Sequence, residues 1–432
     1  MSAASLARQL ASNRIAVWLA CVLGGGAIHL YLWQVSEPPD LFSDFYKAYY
    51  PAAEYLLEKG LSATWPLTEA AAGGFVNIPI IAWLFVPLVM LGEEESGWAF
   101  LAFGATAALT AWWLLARMSR PEAKNAAPLL LFLGLINGPM INSMREGNTT
   151  HIILLLLVLA FVLWRAGWDF VAGLLLGLCA LIKLPLLLFG AYYILRGKWR
   201  VALGGVTAIT TAVLLSLADY GLQGNIAWYK DSVEPFLGGV IPAFNVQSID
   251  GFLIRLSTGE ARLHDWDPMV PDALHKVIRN ALFLLVYGSA IWIGWRAARA
   301  GPMPAINGRL SARDTLEFAL VITVAIITSP ISWTHYYLLL LIPWGLYLGD
   351  RLPVPNDRTT RWLMWTSLVL TSLPVVIPQH SPGLITEVLA RTVVSAWFFG
   401  GLLMLAALLR GLWGLVPSDD VQSNHAGSHA SP

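Results

Sequence analysis

Apolar runs long enough to cross a bilayer constrain this chain before any motif does. The first, Ile15 to Trp33, has close to the ~20 residues a membrane-spanning helix needs, and similar runs recur as far as Arg410. A membrane β-barrel would show short alternating segments in place of continuous apolar ones. Charge agrees with this. Only 12% of the 432 residues are charged and 57% are hydrophobic, whereas soluble proteins carry about 25% charged residues. Too little charge is left to coat a water-facing surface. The expected fold class is all-α integral membrane.

Several function classes fall away on composition. The formal net charge is +0, so nothing draws the chain toward nucleic acid. Cys21 and Cys179 both fall inside expected spans, and no CxxC pair is present. Arg8 and Arg14 precede the first run without an obvious small-residue cleavage site, which reads as an uncleaved first span. No internal repeat is visible. The polar segment 417–432 reads as a disordered cytoplasmic tail, with His425 and His429 as tail composition rather than ligands.

Basic residues mark the cytoplasmic ends of spans. They occur at Arg117–Lys124, Arg165, Arg196–Arg200, Arg296–Arg313, Arg351–Arg361 and Arg410. With the N-terminus inside, these connections are all cytoplasmic and two acidic stretches face outward. One lies within a first outer loop, 35–96, where Glu37–Glu95 holds nine acids. The other lies within a second, 219–275, with Asp231, Glu234, Asp250, Glu260, Asp265 and Asp267. Counting Ile78–Leu91 as a span would invert every later loop. Pro79 and Pro87 break it, so it reads as a helix at or dipping into the outer face. About 12 spans follow, near 15–34, 97–117, 126–142, 149–165, 169–184, 186–196, 201–218, 276–297, 314–330, 335–349, 361–378 and 386–410. They make residues 1–416 one polytopic domain.

On this map the unusual polar groups collect on the outer side. Asp40 and Asp44 follow the first span. Asn142, Arg145, Glu146, Gly147, Asn148 and His151 join two later ones. Lys183 sits just before Pro185, Asn245–Ser248 lie in the second outer loop, and Ser329–Tyr337 join two further spans. Gln379 and His380 are also outside. Each group has an ordinary reading. Arg145 and Glu146 would form a local ion pair, Lys183 would snorkel to the interface, His335 would anchor in an aromatic belt, and Asp40 would cap a helix. Their convergence suggests more. Cations near the water boundary suit a phosphate, and a carboxylate there suits a proton acceptor. No GxxxxGK[ST], HExxH or CxxC motif is present. Mid-span acids and matched broken helices, which a transporter would use, are scarce.

These residues also resemble a family. Asp44-Phe45-x-x-x-Tyr49-Tyr50-x-Ala52-Ala53, closing at Gly60, is similar to the first outer loop of polyprenyl-phosphate-dependent GT-C glycosyltransferases of the GT87 type (the DUF2029 group). That group includes the polytopic mannosyltransferases of mycobacterial phosphatidylinositol mannoside synthesis. Phe75-Val76-Asn77-Ile78-Pro79 resembles the family's aromatic-proline stretch, here with one proline where relatives often have two or three. Asn142-x-x-x-x-Gly147-Asn148 resembles its N…GQ turn, with Asn148 in place of the usual Gln. Ala172–Pro185, with Gly173, Gly177 and Lys183, resembles its Gly-rich helix ending in K-x-P. Ser329-Pro330-x-x-Trp333-x-His335-Tyr336 resembles a turn in its last third.

The resemblance, which covers roughly residues 40–345, implies a GT-C fold and juxtamembrane helices in the first outer loop. It implies an inner-membrane enzyme with its site facing the periplasm or outside. The donor would be a polyprenyl-phosphate sugar, mannose first, and the acceptor a glycolipid or glycan. Asp44 is the expected general base in a one-step inverting transfer. Lys183 and Arg145 would neutralise the leaving phosphate, with Asn148, His335, Asp40, Tyr49 and Gln247 completing the substrate contacts. No cofactor and no metal are expected. A polytopic lipid or sugar transporter or flippase is the alternative, and a non-catalytic envelope scaffold a third reading.

Overall fold

A computed structural model describes residues 13–35, 41–60, 63–67, 75–299, 301–374 and 383–416. The chain runs through α1 (Arg14–Val35), α2 (Tyr50–Lys59), α3 (Glu93–Met118), α4 (Ala126–Ile136), α5 (Gly138–Arg145), α6 (Thr150–Ala166), α7 (Asp169–Ile182), α8 (Leu188–Leu195) and α9 (Trp199–Ser232). It continues through α10 (Ile249–Thr258), α11 (Ala273–Ala298), a two-stranded hairpin of β1 (Ala305–Asn307) and β2 (Leu310–Ser311), α12 (Ala312–Thr328), α13 (Leu341–Leu348), α14 (Arg358–Ser372), α15 (Leu384–Arg391) and α16 (Ala396–Trp413). Asp40, Gln379, His380 and the tail 417–432 lie outside the described residues.

Among the described residues, five helical segments are long and apolar enough to cross a membrane. They contain α1, α3, α9, α11 and α15–α16. The bent pair α4–α5 makes a sixth if counted as one span. Asn137 breaks that pair, bending it by 54°, and its side chain accepts from Met140 N as the cap of α5. Shorter apolar helices Thr150–Ala166, Asp169–Ile182 and Leu184–Leu195 pack beside them. The long helices turn Leu23, Leu214 and Leu284 outward, as a hydrocarbon solvent requires. α12 is the reverse case: every residue from Asp314 to Thr328 is buried, so the bundle closes around it. Its start is fixed by a capping box between Ser311 and Asp314.

The segment expected to lie along the outer face is a 3-10 turn, Pro79–Leu84, followed by one helical turn, Val86–Val89. Six and four residues cannot span hydrocarbon. The part of α9 before its break, residues 199–220, is about 33 Å long at 1.5 Å per residue, enough to cross a bilayer core. α9 breaks at Gly221, where Asn225 Nδ2 bonds the carbonyls of Gly221 and Ser216. Its far end meets the first loop, with Trp83 Nε1 donating to Asp219 at 2.7 Å and Trp65 Nε1 to Asp231 at 2.9 Å. α7 and α9 approach backbone to backbone. A Cβ on Gly173 would fall 2.0 Å from Val201 O, and one on Gly204 would fall 2.1 Å from Phe170 O.

The chain sorts its polar connections to two ends. The connections at one end of α6, α7 and α12 are basic: Arg165, between α6 and α7, has its carbonyl bonded by Arg309 N, and Arg196 pairs with Glu317 and Asp314 near the start of α12. The opposite ends of the same helices carry Asn148, Lys183 and the turn leading to His335.

Candidate active site

The stretch after α1 is docked by its backbone onto the turn between α5 and α6. Phe42 N bonds Arg145 O at 2.6 Å, and Asp44 N bonds Glu146 O at 2.7 Å. Phe42 is held at φ 61, an unusual conformation for a bulky residue. Asp44 then opens a π-turn, Phe45–Tyr49, that leads into α2. It stands at the helix N-cap yet makes no capping hydrogen bond with its side chain. Its carboxylate is directed elsewhere.

Oδ2 of Asp44 accepts from Asn148 Nδ2 at 2.7 Å. The other end of the same amide, Asn148 Oδ1, accepts from Thr150 N at 3.1 Å, Thr150 Oγ1 at 2.7 Å and Lys183 Nζ at 3.1 Å. Three donors on one oxygen fix which way the amide points. Asn148 therefore bridges a carboxylate to an ammonium. Gly147 makes the turn possible: it has φ +66, and a Cβ there would lie 2.7 Å from Phe45 Cβ. Lys183 is carried to the array because α7 ends at Ile182, and its ammonium also lies over the Tyr336 ring at 4.7 Å. Asn77 Nδ2 ties the first loop to Ile182 O at 2.9 Å.

The second carboxylate is Glu146. His335 Nδ1 lies 3.2 Å from its Oε2. Asp44, Glu146 and His335 each place one potential ligand atom within 4.8 Å of the others, so these three could hold a metal ion. Asp44 and Glu146 sit in connections outside the spanning helices. Burial pushes Asp44's carboxyl above its ordinary value, against the pull of the Asn148 hydrogen bond and the charges of Lys183 and Lys47. Glu146 is driven well above its ordinary value by burial and then by Asp44's negative charge, with Lys183 and Arg145 pulling the other way.

The sequence-derived candidates separate in space. Asp44, Asn148, Lys183 and His335 come together. Tyr49 is buried close by and stacks on Phe85 at 4.5 Å between centroids. Arg145 turns toward α1, where its Nη1 bonds Trp33 O and its guanidinium lies over the Trp33 ring. Gln247 is fully buried. Its side chain bonds Phe244 O, Val394 O and Phe398 N, while its backbone takes Tyr337 OH and Ser332 O. It pins the turn that presents His335. Glu146, expected to pair with Arg145, instead reaches His335 while Arg145 reaches Trp33. Successive residues at a helix end are about 100° apart, so the two face different ways.

Comparison with known proteins assigns the class. The Glycosyltransferase family 87 model matches residues 75–330, more than half of the chain, and the chain belongs to this family. That match takes in Asn148 and Lys183 and leaves Asp44 and His335 outside it. Two similar proteins come from Mycolicibacterium smegmatis. One is a polyprenol-phosphate-mannose-dependent alpha-(1-2)-phosphatidylinositol mannoside mannosyltransferase, 26% identical over 319 residues. The other is a polyprenol-phosphate-mannose-dependent alpha-(1-2)-phosphatidylinositol pentamannoside mannosyltransferase, 27% identical over 300. Each alignment covers 68% of this chain, and 63% and 65% of the relatives. A Mycobacterium tuberculosis protein with the first of these names is 26% identical over 219 residues, covering 49% of this chain and 43% of its own length. The chain thus spans under two thirds of the length of the curated relatives it matches.

Proposed function

We propose that this protein is a GT-C-type membrane glycosyltransferase that transfers mannose from a polyprenyl-phosphate donor to a hydroxyl of a glycolipid or glycan at the extracytoplasmic face of the inner membrane. The observation that carries this reading is the hydrogen-bonded line Asp44–Asn148–Lys183. It sets a proton acceptor and a fixed cation a single amide apart. The names of the relatives support mannose and the lipid-linked donor. The gathering of basic connections at the other end of the bundle supports an outward-facing site.

In the transfer, the acceptor oxygen attacks the anomeric carbon and its proton passes to Asp44. The carbon–oxygen bond to the lipid phosphate breaks, and the phosphate leaves with the electron pair. Attack opposite the leaving group inverts the centre. The growing charge on the phosphate is met by Lys183, whose ammonium is pre-aimed by Asn148 and Tyr336. A small apolar groove of about 60 Å³ between α7, α8 and α9 is lined by Leu176, Ala180, Leu186, Leu187 and Ile209. Its lining comes within three residues of Lys183, which suits the donor's hydrocarbon tail. The first loop and the outer part of α9 roof the site and exclude water. An architecture of about 12 spans then counts the shorter apolar helices and the buried α12 as crossings closed within the bundle.

The test uses the purified full chain in detergent, radiolabelled polyprenyl-phosphate mannose and an envelope lipid extract. Wild type is expected to yield a labelled glycolipid or glycan. Vesicles in which the donor crosses the bilayer with no transferred label would replace this reading with a transporter.

A further inference from the structure

We propose that Asp44, Glu146 and His335 form a binding site for one divalent, oxygen-preferring cation of the Mn²⁺ or Mg²⁺ type. The three residues are remote in sequence, with His335 189 positions after Glu146. The fold nonetheless brings one potential ligand atom from each within 4.8 Å of the others. A six-coordinate ion with ligands at about 2.1 Å holds neighbouring ligands about 3 Å apart and opposite ones about 4.2 Å apart. The 3.2 Å between His335 Nδ1 and Glu146 Oε2 is a neighbouring spacing of that kind. Two carboxylates with one imidazole suit Mn²⁺ or Mg²⁺ better than a thiol-seeking metal.

Three further observations point the same way. Lys183 reaches Asp44 only through the Asn148 amide. His335 is 4% exposed, and the ring nitrogen it turns to the trio is Nδ1, beside Glu146 Oε2. The frame around the trio is already rigid. Glu146 O holds the backbone of Asp44, and Asn148 grips Asp44 Oδ2, the kind of supporting contact that orients metal ligands. Charge supplies the reason for an ion. Two carboxyl groups meet here, and a donor phosphodiester would bring a further negative charge to them. A divalent cation balances that sum and leaves open coordination positions for an incoming oxygen.

The expectation of no metal came from the absence of closely spaced ligand motifs. A trio assembled from three distant segments leaves no such spacing. The use of the ion in transfer rests on the proposed function, but the site itself does not.

The experiment is therefore a binding measurement. The full-length protein, purified and stripped with EDTA, is titrated with Mn²⁺ while free Mn²⁺ is followed by electron paramagnetic resonance. One saturable Mn²⁺ per chain is expected, displaced by Mg²⁺. Pulsed spectra of the bound ion should show coupling to an imidazole nitrogen in the unmodified protein, which needs no variant to fold. Glu146→Gln and His335→Ala should each weaken binding by more than about tenfold, and His335→Ala should remove the nitrogen coupling. No saturable binding at millimolar Mn²⁺, or bound Mn²⁺ without nitrogen coupling, overturns the site. Transfer that proceeds at full rate in EDTA with no Mn²⁺ bound overturns the ion's use in transfer and keeps the transferase. Stoichiometric Mn²⁺ without any transfer does the opposite.

Discussion

Asn148 is the residue whose replacement tests the geometry most finely, because it touches both members of the charged line without being either. Asn148→Ala removes the donor to Asp44 Oδ2 at 2.7 Å and the acceptor of Lys183 Nζ at 3.1 Å. Hydrogen bonds to charged groups contribute about 1.5–3 kcal/mol each. Only the part that strengthens as charge moves onto Asp44 and the phosphate counts toward rate. If the net loss equals about one such bond, kcat/KM falls about 10- to 150-fold at roughly 1.36 kcal/mol per decade. The assay is initial-rate transfer from labelled polyprenyl-phosphate mannose with purified protein, alongside thermal melting to confirm folding. Asn148→Gln keeps both functions of the amide and should recover much of the rate. A folded Asn148→Ala protein within threefold of wild type would refute the bridge.

Other outcomes follow from the same contacts. Because Asp44 must be ionised to accept a proton and burial raises its carboxyl, kcat/KM should climb with pH through a limb above the usual carboxylate range. Lys183 lowers that carboxyl, so Lys183→Met should move the limb to still higher pH, as a pH–rate profile would show. Gly147→Ala forces a side chain into a left-handed position at about 1–2 kcal/mol and against Phe45, and should lower both melting temperature and transfer. Gln247→Ala strands buried partners, at about 1–3 kcal/mol, so melting should fall while the KM for donor in the surviving folded fraction stays near wild type. A large change in that KM with unchanged melting would move Gln247 into the substrate site.

Much of the membrane character was legible from the apolar runs alone, because span length is set by bilayer thickness and not by tertiary detail. The convergence of Asp44, Asn148, Lys183 and His335 was legible too, since charge at the connections sorts helix ends into two groups. What the pattern could not express was direction. Arg145 and Glu146 are neighbours in sequence, yet one reaches toward Trp33 and the other toward His335. Gln247 carries the same amide as a substrate-binding residue but spends it on Phe244, Val394 and Phe398. Helix continuity was hard to read for a similar reason. Asn137 interrupts the apolar run 126–142 that hydropathy treats as a single span, and the break after Ile182 is what exposes Lys183 to the array.

The central claim is that Asp44 removes the acceptor's proton, and Asp44→Asn tests it with little change in volume. The measurement is single-turnover transfer of labelled mannose by the purified variant, with donor binding checked separately. The account predicts intact donor binding and transfer reduced by about 10²–10⁴-fold, the range of a lost general base. Transfer within a few-fold of wild type would contradict it.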